Sequence, residues 1–111
     1  MQPAASLGEF EQLVLLAILR LGDKAYGVSI RSEIAACASR EVAPGALYTT
    51  LDRLEDKGMV RSRFGDATPQ RGGRARRYFV LTRKGHAALV SAQQAYQRLM
   101  DGLDLLGGAR A

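Results

Sequence analysis

Seven apolar residues stand unbroken from Leu13 to Leu19, inside a longer stretch of helical spacing. Phe10, Leu13, Val14, Ala17, Ile18 and Leu21 recur at the period of a helix face and predict a first helix ended by Gly22-Asp23. Ahead of it, Ser6-Leu7-Gly8-Glu9 reads as a capping box, the Ser6 hydroxyl accepting from the Glu9 amide while Glu9 reaches back. Leu15, Leu16 and Leu19 widen the apolar surface beyond one stripe. Such a helix is either wholly buried in its own core or keeps a second face for another partner.

A second helix is expected from about Tyr26 to Ser39, with Val28, Ile30, Ile34 and Cys37 towards the core. Gly27 weakens its start. Arg40 to Ala43 reads as a short extended piece before Pro44, which suits a first helical turn and pushes Ala43 out of the helical region. The third helix should run from about Pro44 to Lys57 and stop at Gly58, on a stripe of Leu47, Leu51 and Leu54. Its other face presents Ala46, Thr49, Thr50, Arg53 and Lys57, flanked by Asp52, Glu55 and Asp56. Small, hydroxyl and basic groups of this kind can approach bases and phosphates closely.

Met59 to Phe64 alternates as a strand does, residues 65–75 have loop chemistry throughout, and Arg77 to Leu81 reads as the returning strand. Together they predict a β-hairpin with a long basic tip. Thr82 can cap a last helix running to about Leu106. Leu89, Tyr96 and Leu103 recur every seven residues there, as do Ala92, Leu99 and Leu106. At about 1.5 Å per residue that helix would reach roughly 37 Å, more than so small a domain covers by itself. These six side chains are therefore expected to pair with a second chain, the alternative being that the helix packs along its own domain. The tail from Gly107 to Ala111 is expected to fray.

Charge changes the picture. The net charge of +5 is not spread evenly. Residues 1–56 carry five basic and eight acidic side chains, and residues 85–111 balance. Residues 57–84 carry nine basic side chains against Asp66 alone. The whole positive excess lies in and beside the hairpin, as it does where a small domain reaches along a phosphate backbone.

The remaining composition mostly excludes. A chain of 111 residues is read as one domain, an ordinary soluble globular one at 47% hydrophobic and 24% charged. One cysteine and one histidine, Cys37 and His86, rule out an internal disulfide and argue against a structural zinc site. Cys37 is expected to be a small core residue, and no metal or cofactor is expected. The apolar run is too short to cross a bilayer, and the N-terminus lacks a signal-peptide pattern, so a cytoplasmic protein with no membrane partner is expected. Neither a phosphate loop nor a nucleophile–histidine pattern is present, which argues against an enzyme.

Helix, helix, short strand, helix, two-stranded hairpin, helix is the order of a winged helix-turn-helix domain, a mainly α fold with a small β-hairpin (α+β), here with a C-terminal dimerisation helix. Leu13 to Leu19, Ala25-Tyr26-Gly27 and the stretch Gly45 to Val60, with its Leu-Tyr-x-x-Leu-x-x-Leu-Glu-x-x-Gly pattern, resemble the PadR family of bacterial transcriptional regulators. Arg71 to Thr82, followed by Gly85, is similar to the same family's wing. The resemblance covers roughly residues 7–89 and is closest to the compact subgroup with one C-terminal helix. It implies a homodimeric repressor on double-stranded operator DNA, with a C-terminal helix that crosses to the partner. It also implies an effector site between subunits for phenolic or other hydrophobic molecules. With no Trp in the chain, an aromatic sandwich for flat drugs cannot be carried over; Phe10, Tyr96 and Met100 could line a smaller pocket or be plain interface core.

The division expected is residues 1–81 as the DNA-binding domain and 82–111 as dimerisation helix and tail. The third helix is expected in the major groove, with Thr49, Thr50 and Arg53 at base edges. The Tyr48 hydroxyl, at the family's motif tyrosine, either meets a phosphate or only packs beside Leu47 and Leu51. Lys57, Arg71, Arg74 and Arg76 are expected on phosphates or, for a wing arginine, in the minor groove; any one alone could be a solvated charge. The main rival is a winged-helix protein-interaction adaptor that does not read DNA sequence. RNA binding lacks the stacked aromatic platform of common RNA modules, and a metal or redox sensor would rest on Cys37 or His86 alone.

Overall fold

The computed structural model describes residues 6–65 and 75–105. Four helices and one hairpin follow in order: α1 (Glu9–Leu21), a 3-10 turn (Gly22–Lys24), α2 (Gly27–Ala38), α3 (Pro44–Asp56), β1 (Val60–Phe64), β2 (Arg77–Leu81) and α4 (Arg83–Met100). The expected order of helices and hairpin holds and β2 falls on the expected residues, but the short strand expected at Arg40 to Ala43 does not form. Val14, Leu15 and Ile18 of α1 meet Ile30 and Ile34 of α2, Leu47, Leu51 and Leu54 of α3, and Phe79 of the hairpin in one core.

The caps show why the elements begin and end where they do. Gly8, not Ser6, caps α1: its N–H donates to Glu11 Oε1 at 2.9 Å, so the reaching carboxylate is Glu11 and not Glu9. Pro44 opens α3 as expected, and Gly58 closes it with φ +77°, a conformation that glycine adopts without a Cβ penalty. Thr82 then joins two elements. Its Oγ1 accepts from the Gly85 N–H at 3.0 Å, capping α4, and donates to the Gly58 carbonyl at 2.6 Å. The first turn of α4 therefore rests on the turn that follows α3, and Gly85 faces the Met59 backbone so closely that no Cβ fits between them.

β1 and β2 pair antiparallel, Val60 opposite Leu81 and Phe64 opposite Arg77. A third piece of chain joins the far edge of β2: Tyr26 bridges Tyr78, and the Phe79 N–H donates to the Ala25 carbonyl at 2.9 Å. The base of the wing is thus tied to the entrance of α2.

Three further expectations fail. Val28 is 60% exposed and Cys37 is exposed, so of the four residues expected towards the core only Ile30 and Ile34 are buried. Cys37 Sγ instead donates to Glu33 Oε2 at 3.4 Å on the surface. α4 ends at Met100, six residues before Leu106, because the chain turns at Asp101 and Gly102, the latter with φ +84°. Asp-Gly is a strong turn pair, and it stood in the sequence inside the heptad pattern. At 18 residues α4 is about 27 Å long.

Candidate nucleic-acid interface

α3 projects from the core with one side buried. Leu47, Leu51 and Leu54 are buried as expected, and Thr50 is buried with them at 5% exposure. On a helix of about 3.6 residues per turn, Thr50 lies on the same side as Leu47 and Leu54. The buried stripe is one residue wider than leucines alone suggest, which removes Thr50 from the candidate base contacts. The outward face is centred on Thr49, with Gly45, Ala46, Asp52, Arg53 and Asp56 around it, all exposed.

Tyr48 is partly exposed and lies over the first turn of α2. A Cβ on Gly27 would stand 2.8 Å from Tyr48 Cζ, so Gly27 is the seat of the Tyr48 ring. That close approach, not a weak helix start, is what the glycine serves. The phenol tip therefore sits beside the N-terminus of α2, where free backbone N–H groups favour an anion.

At the base of α3, Lys57 Nζ is 2.9 Å and Arg53 Nη1 is 3.8 Å from Glu11 Oε2. Burial would raise the Glu11 carboxyl pKa, but the Gly8 N–H, the Lys57 hydrogen bond and the nearby Lys57 and Arg53 charges outweigh it and hold it below the usual carboxylate range. A carboxyl depressed in the folded state adds stability above its unfolded pKa and loses it as pH falls through the folded value. Glu11→Gln should therefore lower the urea midpoint at neutral pH by about 1 kcal/mol of stability, and wild type and variant should converge below about pH 4. A gap that persisted in acid would assign the effect to packing instead.

The base of the wing holds the second basic group. The Arg76 guanidinium lies 3.9 Å from the Tyr26 ring centroid and its Nη1 is 3.5 Å from the Tyr78 hydroxyl. Arg63 covers the Tyr78 ring at 4.9 Å, and the two tyrosine rings meet edge to face at 5.6 Å. Stacking holds both guanidiniums in place while leaving donors free to solvent. Arg76 was expected at the interface; Arg63 and Tyr26 were not, although the alternation of β1 already put Arg61 and Arg63 on one face. Arg71 and Arg74 lie outside the described residues.

Arg77 points the other way, to α3. Its Nη2 is 2.6 Å from Glu55 Oε1, its Nη1 is 3.5 Å from Asp52 Oδ1, and its guanidinium covers the Phe79 ring at 4.8 Å. Ser62 Oγ donates to the other Glu55 oxygen at 2.9 Å.

The expected pairing surface divides. Leu89 is 3% exposed in the core of its own chain, because α4 crosses α1 there, so it is not free for a partner. Ala92 is half-buried, while Tyr96 and Leu99 are exposed on α4. Leu103 is exposed but stands beyond the helix end, and Leu106 lies outside the described residues. Leu16 and Leu19 of α1, both exposed, line an open groove with Val90, Gln93, Gln97 and Met100 of α4. So α1 is not wholly buried. Met100 belongs to this groove, whereas Phe10 packs on the core under the Arg40 guanidinium at 5.0 Å and Tyr96 is not among the groove residues. Among the described residues no helix is long and apolar enough to cross a membrane, and no group of His, Cys, Asp and Glu is placed to hold a metal ion.

Comparison with known proteins agrees with this geometry. Residues 15–91 match the model of the transcriptional regulator PadR-like family. The transcriptional regulator Rv3488 of Mycobacterium tuberculosis is 36% identical over 88 residues, which span 78% of this chain and 74% of that protein. The crystal structure of a PadR family transcription regulator from Clostridium difficile R20291 superposes with a TM-score of 0.68 at 25% identity, over 84% of this chain and 95% of that one. The complex structure of hsRosR-SG gives 0.72 at 26% identity, over 91% and 82%. With its winged helix-turn-helix order and the match over residues 15–91, this chain belongs to the PadR-like family of transcriptional regulators, DNA-binding proteins that are not enzymes.

Proposed function

We propose that this regulator works in the cytoplasm as a homodimeric repressor that reads an inverted-repeat operator and is released by a small hydrophobic or aromatic effector. The observation that carries the reading is the apolar groove between α1 and α4, where Leu16, Leu19, Val90 and Met100 are open to solvent, on the same domain as the exposed face of α3. Exposed apolar side chains in one contiguous patch mark a surface that another chain covers. In this reading residues 1–81 read DNA and residues 82–111 pair the subunits.

Thr49, Ala46 and Arg53 enter the major groove, Tyr48 and Lys57 meet phosphates, and Arg76 with Arg63 holds the flanking backbone. Two heads on a two-fold axis then engage half-sites about one helical turn apart, and pairing makes the second contact effectively intramolecular. An effector in the α1–α4 groove, beside Met100, acts by preferring one arrangement of the two heads over the other.

Fluorescence anisotropy on a duplex from the gene's own promoter and on a scrambled duplex, titrated with salt, tests this. Tight, salt-sensitive binding to the promoter alone is expected; equal, weak binding to both would favour the adaptor instead. Val90→Asp should turn the dimer into a monomer in sedimentation and weaken operator binding by about a hundredfold. A variant that stayed dimeric and bound normally would place the interface elsewhere.

A further inference from the structure

Asp52 stands on the outward face of α3, one turn from Thr49 and one turn from Asp56, where a bound duplex brings its phosphates. A carboxylate there opposes binding, and the α3 cation on the same face, Arg53, has its Nη1 3.8 Å from Glu11 instead. The cancelling charge comes from the wing. Arg77 is the first residue of β2, opposite Phe64, and its guanidinium reaches both Asp52 and Glu55 while it rests on Phe79. Ser62 of β1 satisfies a further Glu55 oxygen, so the fork is held from both strands of the hairpin.

We infer that Arg77 is a positioning residue for DNA recognition: it masks the Asp52 and Glu55 carboxylates of α3 from the phosphate backbone without itself contacting DNA. Its side chain is largely covered and its fork is spent on two carboxylates of α3, while the Arg63 and Arg76 guanidiniums are placed by the Tyr78 and Tyr26 rings. Of the nine basic residues in the 57–84 segment, this one serves the interface by removing repulsion.

The inference rests on α3 facing the groove, and wild-type binding to the promoter duplex tests that reading separately. The test is a cycle of Arg77→Gln, Asp52→Asn and their combination on that duplex, with Arg77→Lys as the charge-keeping variant and melting curves for all four. Arg77→Gln should weaken binding about tenfold while Arg77→Lys binds nearly as wild type does. Asp52→Asn should restore most of the loss in the Arg77→Gln background and change wild-type binding little. Unchanged binding by Arg77→Gln would overturn the inference. So would an equal gain from Asp52→Asn in both backgrounds, which makes Arg77 a direct phosphate contact. Arg77→Lys as weak as Arg77→Gln would overturn it too, by showing that the fork's geometry matters and not its charge. If Arg77→Gln fails to fold, the Asp52→Asn effect in wild type and in Arg77→Lys still decides: a large gain in wild type contradicts a carboxylate already masked.

Discussion

Gly85→Ala should cost this small domain about 3 kcal/mol, enough to lower its melting temperature by roughly 10 °C or more. The added Cβ would fall inside the shell of the Met59 carbonyl oxygen and stand 2.9 Å from the Met59 carbonyl carbon. These are backbone atoms, so no side chain can turn aside to make room. Relief requires moving α4 off the turn after α3, and that breaks the Thr82 bonds to the Gly58 and Met59 carbonyls. Gly45→Ala is the matched control, because its Cβ meets nothing within 4 Å and its φ is not left-handed. It should be neutral or slightly stabilising, by about 0.5 kcal/mol. Equal melting of the two variants would refute the close approach.

Thr49→Glu should abolish specific binding, lowering operator affinity about a hundredfold or more with no change in melting. Thr49 lies at the centre of the outward face of α3 and its side chain is exposed. In the proposed dimer a carboxylate there would replace a groove contact with repulsion, once in each subunit. Its neighbour gives the opposite pattern: Thr50→Ala should lower stability by about 1 kcal/mol and leave base preference alone, because Thr50 is buried. Operator binding by Thr49→Glu at wild-type strength would mean that another face of α3 reads the DNA.

The contrast between Thr49 and Thr50 also marks how far the sequence could be read. The element order, the start of α3 at Pro44, the strand at Arg77–Leu81 and the Thr82 cap follow from local chemistry: ring geometry at proline, alternation in strands and a hydroxyl at a helix start. The rotation of α3 does not. Leu47, Leu51 and Leu54 define a stripe but not its edges, and only packing against the neighbouring elements α1, α2 and β1 decides that Thr50 is inside and Asp52 outside. The cap of α1 was misplaced for a similar reason. Both Ser6 with Glu9 and Gly8 with Glu11 have the spacing, but Glu11 alone finds Lys57 and Arg53 across the core, partners 46 and 42 residues away in the chain. In α2 there were more apolar positions than core to receive them, which left Val28 and Cys37 outside.

The candidate site was legible in kind more than in detail. Clustered charge located the wing, yet charge alone does not separate arginines that meet DNA from one that serves another residue. Arg76 and Arg77 are adjacent and chemically identical, yet Arg76, just ahead of β2, lies on Tyr26 while Arg77, the first residue of β2, reaches Glu55. The heptad pattern of α4 misled at both ends, through Leu89, which the protein's own core takes, and through the Asp101-Gly102 turn.

The bridge between Tyr26 and Tyr78 has a consequence for solubility. A two-stranded hairpin exposes two rows of unpaired backbone groups, each a template on which another chain can add a strand. The Ala25–Tyr26 segment occupies part of the outer row of β2. Along β1, Arg61 and Arg63 set like charges beside the row that stays open. A sister molecule that tried to extend the sheet through β1 would bring the same arginines against them. Like charge along β1 thus opposes edge-to-edge pairing of two such hairpins.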